Sequence, residues 1–261
     1  MRGLAVIGNL TRDVVDGGAP RVGGAPYHAA RALRLLGGRS RVVTRCAEAD
    51  RRALLPPLVA LGVPIFWRPA ESTASFTLRY DGEQRTLELE NPGERWTLQD
   101  LADLGRAEWV QLGALTRDEF GVDVLAVLAR DHRLALDGQA LVRPSRRGAI
   151  ELDRNFDPAL LGHVSVLKLA EDELDVLGGE DAVTGFGVPE LLLTRGSHGG
   201  VLLAGGRREE IPVRRVEGKD PTGAGDAFLA GYVWARAAGH RPLSAARSAG
   251  AVAARVLELG P

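Results

Sequence analysis

Short apolar runs alternate with longer helical patterns along most of this chain. Residues 4–7, 41–44, 109–112, 134–136, 164–167 and 191–194 are brief, largely apolar runs of the length of buried strands. Between them, residues 27–36 put Ala29, Ala30, Leu33 and Leu36 on one helical face, and helical patterns also cover 50–61, 122–130, 171–177, 225–238 and 243–257. Residues 200–204 read as an antiparallel return of the strand at 191–194. Strands that alternate with helices in this way predict an α/β fold with a mainly parallel sheet covered by helices. One stretch breaks the alternation. Residues 75–80 and 85–90 alternate polar and apolar positions on either side of Asp81-Gly82, a hairpin signal. A hairpin inserted in an α/β domain projects from it, so a small β lid is expected at about residues 66–92; a plain edge hairpin is the alternative. No repeat or low-complexity tract is evident, and 1–261 reads as a single domain carrying that insert.

Composition narrows the function classes. The chain has 261 residues, 45% of them hydrophobic, which suffices for one sizeable core. Its 33 basic and 34 acidic residues leave a formal charge of -1, which argues against bulk attraction to nucleic acid or anionic membrane. The bases are nearly all Arg, and Lys168 and Lys219 are the two lysines. Cys46 is the single cysteine and has no partner for an internal disulfide; no Cys/His set has zinc-ligand spacing. The apolar segment at 4–7 is too short for a signal peptide or a membrane span, so a soluble cytoplasmic protein is expected.

Candidate chemistry concentrates late in the chain, in Lys219-Asp220-Pro221-Thr222-Gly223-Ala224-Gly225-Asp226-Ala227-Phe228. A Gly-rich turn leads here into an apolar helix. Backbone N–H groups at a helix start have no internal acceptor, and with the helix dipole they form an anion site. Gly223 and Gly225 let a phosphate approach the backbone, although the order Gly-x-x-x-x-Gly-Lys-Ser/Thr of a Walker A loop is absent. Asp226, at the edge of that site, is placed to accept a proton from a hydroxyl that attacks phosphorus in line, while the turn 223–226 stabilises charge on the transferred group. The alternative is an Asp that caps a helix behind a tight turn.

Residues 220–228 closely resemble the C-terminal signature of the ribokinase-like (PfkB) carbohydrate kinase family, Asp-Thr-Thr-Gly-Ala-Gly-Asp-Ala-Phe, with Pro221 as the one departure. Other segments fall in the order of that family, so the resemblance covers nearly the whole chain. It implies a three-layer ribokinase-like fold with a small β lid, and an ATP-dependent phosphotransferase acting on a hydroxyl of a sugar or sugar-like polyol with Asp226 as base. It also implies Mg²⁺ as cofactor, a monovalent cation near Asp220 as in some members, and pairing of two copies through the lid, with a monomer carrying a short lid as the alternative.

The resemblance extends to individual positions. Gly8-Asn9-Leu10-Thr11-Arg12-Asp13 resembles the family opening and implies that Asp13 binds substrate hydroxyls; a loop Asp in a local turn is the alternative. Gly23-Gly24-Ala25-Pro26-Tyr27-His28 resembles a segment that passes close to the sugar, with His28 in place of the usual Asn; His28 packed under the lid is the alternative. Residues 73–89 are similar to the substrate-covering strands, and Arg85 is a candidate substrate contact or a solvated strand residue. Residues 168–173 match a segment carrying Asn-x-x-Glu, which assigns Glu173 to Mg²⁺ through water, with Ala170 replacing the Asn; an exposed helix carboxylate is the alternative. Residues 193–200 resemble a nucleotide-side turn and mark Thr194 and Gly196, beside Asp220, Thr222, Gly223 and Gly225, as nucleotide contacts. Two further readings remain: a nucleoside or cyclitol (inositol) kinase, and a sugar or nucleotide sensor with little catalysis.

Overall fold

The computed structural model of the chain describes residues 3–81, 84–214, 216 and 221–260, and of residues 80, 81, 84 and 85 the backbone alone. Asp220, Lys219 and Gly82 lie outside the described residues, and so does the side chain of Arg85.

Nine strands form the large sheet: β1 (Gly3–Asn9), β4 (Ser40–Ala47), β5 (Ile65–Ala70), β8 (Ala107–Gly113), β9 (Arg133–Asp137), β11 (Val164–Ala170), β12 (Glu190–Thr194), β13 (Gly200–Ala204) and β14 (Arg207–Ile211). They lie in the order β14-β13-β12-β11-β9-β8-β1-β4-β5. Pairing is parallel from β5 to β12 and antiparallel only at the β12, β13, β14 edge, where 200–204 returns against 191–194 as its pattern implies. The apolar runs are explained by this position, because a central parallel strand is buried on both faces.

Helices cover both faces. Leu4, Val6, Val42, Trp109, Val166 and Leu192 point to one side, where α1 (Ala25–Leu36), α2 (Arg51–Val59), α7 (Ala224–Ala237) and α8 (Pro242–Leu259) pack. Ala5, Ile7, Val110, Leu112, Leu136 and Leu167 point to the other, under α3 (Val122–Leu128), α4 (Gln139–Val142), α5 (Glu171–Val176) and α6 (Gly179–Thr184). Each strand thus contributes alternate residues to two cores, as the period of two requires.

A second sheet of five strands has the order β10-β7-β6-β2-β3. It is built from β2 (Thr11–Val15), β3 (Arg21–Gly23), β6 (Ala74–Asp81), β7 (Gln84–Asn91) and β10 (Gly148–Ala149). The hairpin expected around Asp81-Gly82 is the β6–β7 pair, in which Phe76 faces Leu89 and Leu78 faces Leu87. The expected insert at 66–92 needs correction at its start. Residues 65–70 form the edge strand of the large sheet, paired parallel with β4. An edge strand is only half covered, so its polar-apolar alternation looks like that of a lid strand. The small sheet also recruits 11–15 and 21–23, short segments with too few apolar residues to signal strands. Its apolar face turns inward: Phe76, Leu78 and Leu89 are buried with Leu115.

Candidate active site

Parallel strands expose their C-terminal ends along one rim of a sheet, and ligands gather there. Here β9, β11 and β12 end in Asp137, Ala170 and Thr194, and the start of α7 lies across them. A cavity of about 410 Å³ opens between this rim and the small sheet.

The start of α7 forms one wall. Gly223 caps the helix at φ 79, a left-handed conformation that suits glycine. Ala224 N–H is turned back to the Pro221 carbonyl at 3.0 Å, and Ala227 N–H reaches Gly223 at 2.9 Å. Among the described residues nothing accepts the N–H groups of Gly225 and Asp226, and both residues line the cavity. Packing also demands glycine at 223, since a Cβ there would lie 2.0 Å from Nδ1 of His28. The imidazole of His28 therefore packs against this turn, not under the lid, while also lining the cavity.

Asp226 is half-buried and faces four charged neighbours. Burial pushes its carboxyl up to about 7; Asp137 adds to the rise, and Lys168 and Arg143 oppose it. Lys168 is buried beneath the turn. Its Nζ donates to Asp137 Oδ2 at 3.0 Å and Oδ1 at 3.2 Å and lies 3.9 Å from Glu173 Oε2. Burial alone lowers a lysine, yet the two carboxylates hold this one above its ordinary range. The tight fit of Gly225, whose Cβ would approach Nζ to 3.2 Å, puts the ammonium directly under the anion turn.

Glu173 is buried, which removes the alternative of an exposed helix carboxylate. Its Oε2 accepts the Ala170 N–H at 2.8 Å, closing the first turn of α5, and burial raises its pKa against the pull of Lys168. Gly138 leaves room for that carboxylate, because a Cβ there would come within 2.7 Å of it. Among the described residues no three His, Cys, Asp or Glu side chains converge as a metal cage.

Across the cavity stand Thr11 and Asp13 on β2. Asp13 lies in a strand, not in a loop turn. Thr11 Oγ1 and Asp13 Oδ1 are buried, and among the described residues neither forms a hydrogen bond of good geometry. Burial pushes the Asp13 carboxyl up to about 6, against the neighbouring Thr11 hydroxyl and the attraction of Arg21. Gly23 makes room for the carboxylate, since its Cβ would lie 1.9 Å from Oδ2. Gly24, at φ 89, lets α1 start close to Asn9. Phe76, Leu78, Leu87 and Leu115 complete an apolar wall.

A narrower slot of about 210 Å³ adjoins the cavity at Thr194, Gly196, Pro221, Ala224 and Gly225. Its walls are largely apolar: Ile211, Val213, Val216, Phe228, Ala253, Ala254 and Leu257. Thr194 Oγ1 donates to the Leu169 carbonyl at 3.1 Å, so its hydroxyl fixes the turn that borders the slot. Thr222 lies on the rim of the larger cavity.

One cavity thus gathers Asp13, Gly24, His28, Glu173, Thr194, Gly196, Thr222, Gly223, Ala224, Gly225 and Asp226. Thr11, Asp137, Gln139, Arg143 and Lys168 also line it and were missed from sequence. Their signal was positional: Asp137 and Lys168 sit at the ends of parallel strands, which becomes informative only once the strand order is known.

The description "pfkB family carbohydrate kinase" matches residues 15–259. The chain belongs to the PfkB carbohydrate kinase family. A fructokinase of Rhizobium leguminosarum bv. trifolii is 28% identical over 262 residues, covering 88% of this chain and 77% of that protein. A pyrophosphate-dependent kinase of the ribokinase family, solved with a pyrophosphate analogue and myo-inositol, superposes with a TM-score of 0.87 at 25% identity. That match covers 99% of this chain and 96% of the other. Ribokinase of Thermotoga maritima shares the fold at 18% identity and a TM-score of 0.71, over 97% of this chain and 92% of its own. The three-layer ribokinase-like fold and the carbohydrate kinase class expected from sequence both stand. Among the described residues no helix is long and apolar enough to cross a membrane.

Proposed function

We propose that this carbohydrate kinase transfers the γ-phosphoryl group of ATP to a hydroxyl of a small neutral sugar or sugar-like polyol. One observation carries the reading. Unpartnered N–H groups at the start of α7, the Asp226 carboxyl, and the buried, unpartnered oxygens of Thr11 and Asp13 face the same cavity.

Asp13 and Thr11 hold two acceptor hydroxyls, with Gly23 leaving room for the Asp13 carboxylate, Gly24 allowing the ring close to the backbone and His28 closing the end of the pocket. Asp226 accepts the proton of the reacting hydroxyl as its oxygen forms the new bond to phosphorus and the bond to the leaving phosphate breaks. A carboxyl raised to about 7 suits a base that works near neutral pH. The N–H groups of Gly225 and Asp226, in the turn formed with Gly223 and Ala224, stabilise the charge on the transferred group, and Lys168 adds a fixed positive charge beneath them. The apolar slot fits a planar base of the nucleotide, with Thr194, Gly196 and Thr222 on the phosphate side. The oxygen donors at the rim, Glu173 with Asp172 and Glu171, suit Mg²⁺ held through water. When bound, that ion neutralises donor phosphate charge.

A second reading concerns donor and acceptor identity. The structural neighbour at 25% identity uses pyrophosphate and was solved with myo-inositol, and Lys168, Arg143 and Arg195 line this cavity. Such a cationic rim suits a donor that is all phosphate. The apolar slot, of no use to pyrophosphate, favours ATP. The deciding experiment supplies purified protein and Mg²⁺ with ATP or pyrophosphate against D-fructose, other hexoses, myo-inositol and nucleosides, and follows the phosphorylated product. Turnover with ATP and a hexose or cyclitol is expected. Nucleotide binding without turnover of any acceptor would replace the kinase by a sensor.

A further inference from the structure

Behind the acceptor pocket lies a charged cluster that the transfer reaction does not touch. Glu119, in the segment that follows β8, is 2% exposed. Its Oε1 accepts the backbone N–H of Leu115 at 3.1 Å, and its Oε2 accepts Nδ2 of Asn9 at 3.2 Å. Asn9 Nδ2 also donates to the Glu94 carbonyl at 2.9 Å, and its Oδ1 accepts Nε of Arg45 at 2.9 Å. Arg45 lies 4.2 Å over the ring of Trp96 and donates to the Glu94 carbonyl at 2.6 Å. Its Nη1 is 3.8 Å from the Glu94 carboxylate and 3.6 Å from that of Asp100. Glu94 in turn accepts N–H groups from Glu71 and Ser72, just ahead of β6.

Of the two groups that Glu119 holds, Leu115 lines the pocket and Asn9 leads into the strand that carries Thr11 and Asp13. Leu115 is part of the apolar wall, and Gln139, which also lines the cavity, donates to the neighbouring Ala114 carbonyl at 2.6 Å. Asn9 precedes Thr11 and Asp13 by two and four residues, and its carbonyl limits Gly24, whose Cβ would lie 2.5 Å away. A buried carboxylate is an expensive way to fill space. The carboxylate meets donors, the Leu115 and Thr116 N–H groups and Asn9 Nδ2, so an apolar residue of the same volume would leave those donors unpaired.

We propose that Glu119 is a positioning residue for the acceptor, its carboxylate fixing the Leu115 backbone and Asn9 so that the apolar wall and the Thr11–Asp13 strand keep their spacing. The inference rests on the acceptor site assigned above. Its ionisation tunes the effect. Burial pushes the Glu119 carboxyl up to about 8, against the Leu115 N–H, Arg45 from β4 and Asn9 from β1; Glu94 and Asp100 face Arg45 from the far side. Protonation puts an O–H among donors and loosens the clamp. Acceptor affinity is therefore greatest above about pH 8 and falls as pH drops through that value.

The test uses the full chain with Mg-ATP and whichever acceptor of the panel above, D-fructose, another hexose or myo-inositol, the wild type phosphorylates. At pH 9, where the carboxyl is ionised, Glu119→Gln is expected to raise the acceptor KM about tenfold, the scale of a lost hydrogen bond to a charged group, and by less at pH 7. It should leave kcat and the ATP KM within about twofold, on the same argument that only the acceptor walls move. The variant should also lose the improvement in acceptor KM between pH 7 and 9, and Glu119→Asp, which keeps the charge, should recover part of it. A folded Glu119→Gln variant with wild-type acceptor KM overturns the proposal. So does an equal loss in kcat and both KM values, or failure of both variants to fold, either of which would make the residue a support of the fold. A wild type that phosphorylates no acceptor of the panel above removes the functional reading and this inference with it, whereas an active wild type beside an unaffected variant removes this inference alone.

Discussion

At the scale of single residues, the site concentrates ionisable groups whose environments pull them in opposite directions. Asp226 is pushed up to about 7 while Lys168, a short distance away, stays charged on its two carboxylates. Asp226→Asn should lower kcat by about two to four orders of magnitude, the span of general-base effects, while a thermal shift on adding Mg-ATP persists. Near-native turnover would remove Asp226 as the base. In the wild type the active, ionised form fills as pH rises, so kcat should climb through about pH 7. Stability runs the other way. The folded chain holds this proton more tightly than the unfolded chain does, so ionisation above about pH 7 costs stability that is regained as pH falls towards the ordinary aspartate value. Asp226→Asn should therefore melt no lower than the wild type at pH 8. A second residue-scale prediction concerns Gly223, where a positive φ and the His28 ring both exclude a side chain. Gly223→Ala should destabilise by roughly 1–3 kcal/mol. Adding His28→Ala should restore the steric part, which urea unfolding of the two single variants and the double variant would resolve. Strictly additive losses would mean that the ring is no obstacle.

Elements then hold those residues in place. The first turn of α7 carries the proposed anion site, and its last turns are anchored at the opposite rim of the sheet. Tyr232 Oη donates to Glu190 Oε2 at 2.6 Å, and Arg236 meets the same carboxylate through Nη2 at 2.6 Å and Nε at 3.1 Å. Glu190→Ala leaves a buried hydroxyl and a largely buried guanidinium without that partner and should cost about 3 kcal/mol by chemical denaturation. Its distance from the cavity should leave the acceptor KM unchanged, and a large KM effect would show that the anchor also steers the site. This element also shows why some of the molecule was readable in advance. Residues 220–228 form one contiguous run whose glycines and acid declare their purpose together. The central strands were equally plain because burial on both faces makes them apolar throughout. In contrast, β2 and β3 are short and carry Thr11, Arg12, Asp13 and Arg21, so hydrogen bonding across the small sheet, not composition, makes them strands. Lys168, Asp137 and Arg143 come from separate elements, and only the order β12-β11-β9 brings them beneath the anion turn. Glu119 gives no sequence signal, since its role depends on Asn9, which lies 110 residues earlier in the chain.

At the scale of the whole molecule, the two substrate compartments come from different packing units but share one partition. The proposed acceptor pocket is walled by the small sheet and its own core, and the proposed donor slot by α7, α8 and the β12–β13 turn. Gly225, Ala224, Pro221, Thr194 and Gly196 line both spaces, and His28 braces the same turn from the acceptor side through Gly223. A ligand in either compartment restricts this shared partition, so the second ligand meets a surface already ordered by the first. Binding should therefore be positively coupled, and linkage requires the coupling to be the same in both directions. Calorimetric titration of the acceptor with and without a saturating non-hydrolysable ATP analogue should show at least about fivefold tighter binding in its presence, the lower end of ordinary coupling. The reverse titration should give the same factor. His28→Ala, which removes the brace but leaves Asp13, Thr11 and the slot in place, should reduce that factor towards one. Equal affinities with and without the analogue in the wild type would mean that the compartments fill independently and that the turn between them is a rigid wall.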